Sequence, residues 1–379
     1  MAELQQASTR IDGLQALRGI AAASVFVQHV FGFADAVVKG PTDLLYSFNC
    51  GALGVYIFFA LSAYLMATKA SDPPLKFAQD RLRRIFPAFW IALAISSLTS
   101  LYVVGAHGTT WQLTLLIPFG PQPWASVPYW TLYFEMAFYV LMFLLILSLK
   151  RYAVYGAVVA LSASYLFASP DSLKNQLFPT GTTLLTTSLA IYFLAGLVAR
   201  LLPPPRQGTA TFYACAGLAL FYGVVHIDRV PYLGAVVAPN MDEIVVFAWA
   251  VAMGCFVRAA LTWKAAGPIG ARLAKLGNLS YGVYLIHLVP MNAMIYIIAW
   301  NHWALSYWQV AALMFIAALP VALAMGVVDV RVQARLKDWA RRRRAAGQRP
   351  GAGPALSERR AYPGPQFPQD MRGSRTPIA

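Results

Sequence analysis

Arg18 and His29 stand eleven residues apart in an otherwise apolar stretch, and ionisable side chains inside a membrane-length apolar run are costly enough to mark function. Eleven residues are close to three helical turns, about 16 Å of rise, so both side chains lie on one face without touching. A guanidinium suits an anion, and an imidazole suits proton transfer near neutral pH. Glu135, which closes the run Trp130-Thr131-Leu132-Tyr133-Phe134-Glu135, is the third candidate. On a helix running opposite to the first it lies about 12 Å inside the end, the depth of His29. A carboxylate that accepts one ring N–H of an imidazole fixes its tautomer and raises its basicity, freeing the other nitrogen to take a proton from a hydroxyl. We therefore expect Glu135 to orient His29, with a purely structural polar pair as the alternative.

Arg81 and Arg84, in Arg81-Leu82-Arg83-Arg84-Ile85-Phe86-Pro87, are at i and i+3 and share a helix face. Guanidinium forks suit phosphate, although plain charge at a membrane surface explains them nearly as well. Ser62 lies in an apolar segment rich in small residues, Gly51 to Leu65. Helix packing accounts for the small residues, and Ser62 is free to line a pore. Tyr281, Tyr284 and His287 step by three and form one slanted row on a helix opened by Asn278 or Ser280. Tyr281 and His287 are further candidates for contact with a bound cofactor or donor, although a single membrane histidine is more often an interhelical hydrogen-bonder. Cys50, Cys215 and Cys255 show no CxxC spacing and no nearby histidine, so neither a disulfide framework nor a metal site is expected. His107, His226 and His302 are assigned nothing.

These residues need a frame, and composition defines it. The chain of 379 residues is 59% hydrophobic and 12% charged, with mean hydropathy +0.56, against roughly 25% charged residues in soluble domains. A water-soluble fold is excluded. Apolar runs place membrane spans near 14–35, 50–69, 86–104, 127–149, 152–169, 184–202, 210–227, 243–262, 278–299 and 306–330, predicting an all-α integral membrane bundle of about ten transmembrane helices. The first is read as an uncleaved helix rather than a signal peptide. With the N-terminus inside, most connecting Lys and Arg residues fall on the cytoplasmic side and only Lys39, Lys174 and Arg229 on the other, so both termini are expected in the cytoplasm. The net charge of +15 is then topology and lipid contact, and no nucleic-acid partner is expected. The loop from Gly105 to Ser126 is expected to lie in the interface or to re-enter the membrane. Residues 1–330 form the transmembrane domain, and residues 331–379, with Arg341 to Arg344 and a Pro/Gly-rich end, form a basic disordered cytoplasmic tail.

Taken together, these segments resemble the acyltransferase 3 family of membrane acyltransferases, over about residues 11 to 330, and most closely its exopolysaccharide O-acetyltransferase members. Leu17-Arg18-Gly19-Ile20-Ala21-Ala22 followed by His29 resembles the family's pattern of Arg, ten residues, then His. Gly54-Val55 to Leu61-Ser62 resembles its GVxxFFxLSG segment, Arg81 to Pro87 its RxxRxxP segment, Trp130 to Tyr139 its WTLxxExxFY segment, and Leu276 to His287 its LGxxSYxxYLxH segment. Ala63 replaces the usual Gly, and Tyr56 stands where many members have Asp, so no role of an acid at position 56 carries over.

The resemblance implies an enzyme of the inner (plasma) membrane that moves an acyl group, commonly acetyl, from cytoplasmic acyl-CoA to a hydroxyl of a surface polysaccharide or lipid-linked sugar. Acetyl-CoA is then a donor substrate, with no cofactor bound permanently. Arg18, Arg81 and Arg84 would hold its phosphates, with Ser62, Tyr281 and His287 as further contacts, and a pantetheine arm would reach along the 16 Å or so of rise toward His29 as general base. Polysaccharide synthesis proteins are possible partners. Direct transfer and an acyl-enzyme both fit. The competing expectation is a carrier or flippase for an acyl donor or glycolipid, in which the same residues line a path and no bond is made.

Overall fold

The computed structural model describes residues 2–40, 49–104, 110–117, 129–168, 184–224, 241–263 and 267–347. Within them every regular element is helical. In chain order the helices are α1 (Ala2–Val37), α2 (Cys50–Ala67), α3 (Pro74–Val104), the single turn α4 (Trp111–Thr114), α5 (Trp130–Leu149), α6 (Ala153–Leu166), α7 (Ala190–Leu201), α8 (Ala210–Gly223), α9 (Met241–Thr262), α10 (Gly267–Ile286), α11 (Leu288–Trp300) and α12 (Tyr307–Gly347). Large apolar side chains such as Leu98, Leu147, Val159 and Ile316 are exposed on this surface, as lipid tolerates and water does not.

Six described segments are long and apolar enough to cross a membrane: Asp12–Val37, Cys50–Ala67, Pro74–Val103, Trp130–Leu166, Asp242–Thr262 and Tyr307–Arg343. A seventh is added if α10 and α11 form one span, bent by 46°. This is fewer than the ten expected. The helices α7 and α8, of 12 and 14 residues, rise only about 18–21 Å against a hydrocarbon core of about 30 Å. The stretches next to them, 169–183 and 225–240, lie outside the described residues, as do His107, His226, most of the loop from 105 to 126, and residues 348–379. Although Trp130–Leu166 passes as one apolar segment, the chain turns back inside it. Lys150 has φ 50°, and Gly156 of α6 faces the side chains of Leu145 and Leu149 on α5.

The bend between α10 and α11 has a sequence cause. Pro290 offers no N–H to the carbonyl of Ile286, and its ring crowds that carbonyl, so the helix breaks at His287. The span read near 278–299 thus contains a break, and α10 starts earlier, at Gly267. Likewise α3 begins at Pro74 rather than near 86, placing Arg81 to Pro87 inside a helix. Residues 331–347, read from composition as the start of an unfolded tail, are helical, because Arg, Ala, Lys, Gln and Leu are all good helix formers. Residues up to Leu336 form one compact unit. In the described part of the remainder the Arg343 guanidinium lies 4.2 Å from the centre of the Trp339 ring.

Helix α1 packs against α2, α9 and α10 and so sits inside the bundle. Two glycines of the motifs make the α1–α10 approach possible. A methyl group at Gly277 would land on the Gln15 carbonyl, and one at Gly19 on the Leu273 carbonyl, so the two backbones pass in contact. Tyr56, the residue in place of an acid, stacks on Tyr192 with ring centres 3.8 Å apart. We expect Gly277→Ala to lower stability by about 1–3 kcal/mol through overpacking, read as a lower thermal midpoint in detergent. Gly32→Ala, where no atom lies within 4 Å of the added methyl, should leave the midpoint unchanged or raise it.

Candidate functional site

The apolar segments of α1, α2, α3, α5 and α10 bring several of their polar side chains to one cavity of about 130 Å³. Arg18 from α1, Ser62 from α2, Arg81 and Arg84 from α3, and Glu135 and Tyr139 from α5 all line it. Tyr281 and Tyr284 of α10 line it too, which explains why their row was visible as a three-residue step.

The arginines differ in how their charge is met. Arg84 places Nη1 2.9 and 3.0 Å from the two carboxylate oxygens of Asp329 on α12. Asp329 is fully buried. The Arg84 guanidinium also lies 4.7 Å from the centre of the Tyr281 ring, whose hydroxyl donates to the Ile85 carbonyl at 2.9 Å. Arg84 is thus fixed in place and already compensated, unlike the free phosphate ligand expected. Among the described residues neither Arg18 nor Arg81 has a carboxylate within ion-pair distance. Among those residues Arg18 donates one long hydrogen bond, 3.4 Å, to the Gln15 side chain, and the buried Arg81 Nε has no partner. These two carry the charge that an anion entering the cavity would meet.

Glu135 does not pair with His29. Its Oε1 accepts from Ser62 Oγ at 3.1 Å and from the Tyr139 hydroxyl. Equal depth in the membrane fixes height along the normal but not which helix faces which, and it is α2 that packs against both α1 and α5. The partner of His29 is instead His287, with Nε2 of His287 3.2 Å from Nδ1 of His29. The break after Ile286 sets His287 at the end of α10, the helix most closely applied to α1. His287 is buried, and it makes its contact with His29 rather than with the cavity, where it was expected.

The hydrogen bonds of this pair fix its protons. A carbonyl can only accept, so His29 Nδ1, 2.8 Å from the Val25 carbonyl, carries a proton, and so does His287 Nδ1, 2.8 Å from the Tyr284 carbonyl. The lone pair of His287 Nε2 therefore faces the His29 Nδ1–H, while His29 Nε2 is deprotonated and makes no hydrogen bond among the described residues. An imidazole held in this tautomer is a base at Nε2. His29 itself does not line the cavity. Tyr284, in the cavity wall, reaches the pair from that side: it packs against His287 at 5.8 Å between ring centres and against Phe58 at 6.4 Å, and its hydroxyl bonds Thr131 at 2.7 Å.

Asp329, Tyr139 and Thr131 were not singled out from the sequence. Asp329 had a signal, being the one acid in the stretch 306–330. Among the described residues no group of three His, Cys, Asp or Glu side chains is placed to hold a metal.

Residues 11–327 match the family model described as an acyltransferase domain. The chain is 26% identical to nodulation protein 10 of Rhizobium leguminosarum bv. viciae, over 74% of this chain and 82% of that protein. It is 27% identical to the exopolysaccharide production protein ExoZ of Rhizobium meliloti (strain 1021), over 65% and 78%, and 24% identical to the acyltransferase MdmB of Streptomyces mycarofaciens, over 75% and 79%. No solved structure matches.

Proposed function

This chain belongs to the acyltransferase 3 family, and from that premise we propose that it is a multi-pass O-acyltransferase of the plasma membrane, with both termini in the cytoplasm, that moves an acetyl group from acetyl-CoA to a hydroxyl of a surface or lipid-linked carbohydrate. The observation that carries this reading is the cavity, where two guanidinium groups that form no ion pair among the described residues face a space walled largely by apolar side chains and aromatic rings. Arg18 and Arg81 hold the donor's phosphates through charge-assisted hydrogen bonds, and Arg84 is a positioning residue held by Asp329. The acceptor hydroxyl gives its proton to His29 Nε2, and His287 keeps the tautomer in place. The Tyr284 ring moves aside to join the cavity to the histidines. Two relatives bearing the names of nodulation and exopolysaccharide production, and one named an acyltransferase, support a carbohydrate acceptor and an acyl donor.

The test is release of free CoA thiol by purified protein given acetyl-CoA and a carbohydrate acceptor. The proposal expects release that requires the acceptor. Donor binding and counterflow without release would mean a carrier. Arg18→Ala and Arg81→Ala should each raise the KM for donor by about 10–100-fold, the equivalent of a lost hydrogen bond to a charged group at about 1.5–3 kcal/mol, with little change in kcat. Steady-state kinetics over a range of acetyl-CoA concentrations checks this.

A further inference from the structure

Hydroxyls on these helices usually bond back along their own chain. Ser24, Ser97, Thr99 and Ser148 each donate to the carbonyl four residues earlier, at 2.7 to 2.9 Å, the usual way to satisfy a hydroxyl in an apolar helix. Ser62 instead reaches across to another helix and donates to the Glu135 carboxylate at 3.1 Å. The Tyr139 hydroxyl holds the same carboxylate oxygen and lies 3.4 Å from Ser62 Oγ. A hydroxyl on a base that is itself oriented by a third group is the arrangement of an activated nucleophile. It stands in the cavity wall with the arginines, whereas His29 does not. One buried hydroxyl on that wall, Ser280 Oγ, has no partner among the described residues, and such a donor is what an oxyanion requires.

We infer that Ser62 is acylated by the donor, so that transfer runs through a seryl ester with Glu135 as its base. This rests on the acyltransferase reading above. In the first half, Ser62 Oγ bonds to the thioester carbonyl carbon and its proton passes to Glu135. The C–S bond then breaks, and the departing thiolate takes that proton and leaves as free CoA. Ser280 donates to the carbonyl oxygen while it bears negative charge. In the second half, the acceptor oxygen bonds to the ester carbonyl carbon as His29 Nε2 removes its proton. The C–Oγ bond breaks, Oγ takes a proton from solvent, and the His29 imidazolium gives its proton up to solvent, which returns the site to its starting state.

The experiment uses the full-length chain in nanodiscs with radiolabelled acetyl-CoA and no acceptor. The expected result is label bound to the peptide containing Ser62, stable to mild acid and released by hydroxylamine, together with exchange of label between acetyl-CoA and free CoA. Ser62→Ala should abolish the adduct and cut exchange by at least about 100-fold, well within the loss that removal of a catalytic serine causes. Ser62→Cys, which keeps a nucleophile and guards against misfolding, should move the label to a thioester. Glu135→Gln should slow exchange without changing the labelled residue, and His29→Ala should keep both adduct and exchange while losing delivery to carbohydrate. Label on another residue, undiminished exchange in folded Ser62→Ala, or wild-type transfer to carbohydrate without exchange overturns the role of Ser62 alone. Absence of both exchange and transfer in folded wild-type protein overturns the acyltransferase reading beneath it as well.

Discussion

Replacing His29 with alanine should lower kcat/KM for transfer to carbohydrate by about 10²–10⁴-fold, the usual contribution of a general base, with the protein still inserted in the membrane at normal abundance. Insertion survives because removing a polar group from an apolar span lowers the cost of that span. The loss is chemical. The Val25 carbonyl pins the proton on Nδ1, so Nε2 is the only basic atom that the ring presents, and no other side chain in the described part of α1 can take its place. His29→Asn retains an N–H at the Nδ1 position for the Val25 carbonyl but has no base, so it should be as inactive as alanine while keeping wild-type stability. Free imidazole in the assay should restore part of the activity to the alanine variant. The check pairs initial rates with membrane abundance on the same preparations. Equal loss of both would assign His29 a folding role.

Asp329→Ala should destabilise the protein by about 3–5 kcal/mol, the cost of leaving a buried charge without its counter-ion. Asp329 is wholly buried and meets Arg84 Nη1 with both oxygens. One turn further along α12, Gln333 Nε2 donates to the carbonyls of Arg83 and Arg84, at 3.0 and 3.2 Å, so α12 and α3 are tied at one level. Arg84 cannot escape easily, because it is stacked on Tyr281 and mostly covered. Removing both charges with Arg84→Met and Asp329→Leu should recover most of the stability, since an apolar pair of similar volume is often neutral against a buried ion pair. Thermal midpoints of the two single variants and the double variant complete a cycle. Simple addition of the two single losses would contradict the paired-charge account.

Much of the site was legible because a membrane makes polar residues conspicuous. Arg18, Arg81, Arg84, Ser62 and Glu135 stood out as exceptions in apolar or basic segments, and all of them line one cavity. Their partners were less legible, and the reason is geometric. Rise per residue gives depth, so Glu135 and His29 could be set at one level, yet the azimuth of each helix follows from packing, which the spacing of two residues does not encode. Gly19 and Gly277 held that information, since the close contact they allow between α1 and α10 is what delivers His287 to His29. Pro290 marked the break that ends α10 there. Helix boundaries were least legible where charged residues extend a helix past the apolar run, as at Pro74 and Gly347, because hydropathy measures the solvent of a segment and helix propensity its conformation.

The most direct measurement supplies radiolabelled acetyl-CoA to membranes from cells that lack this protein and then carry either the wild-type chain or His29→Ala. Label recovered in carbohydrate is tested for release by mild base. The account predicts base-labile label with the wild type and only background with the variant. Ester formed equally by both, or label that binds or crosses with the wild type while no carbohydrate ester forms, would contradict it.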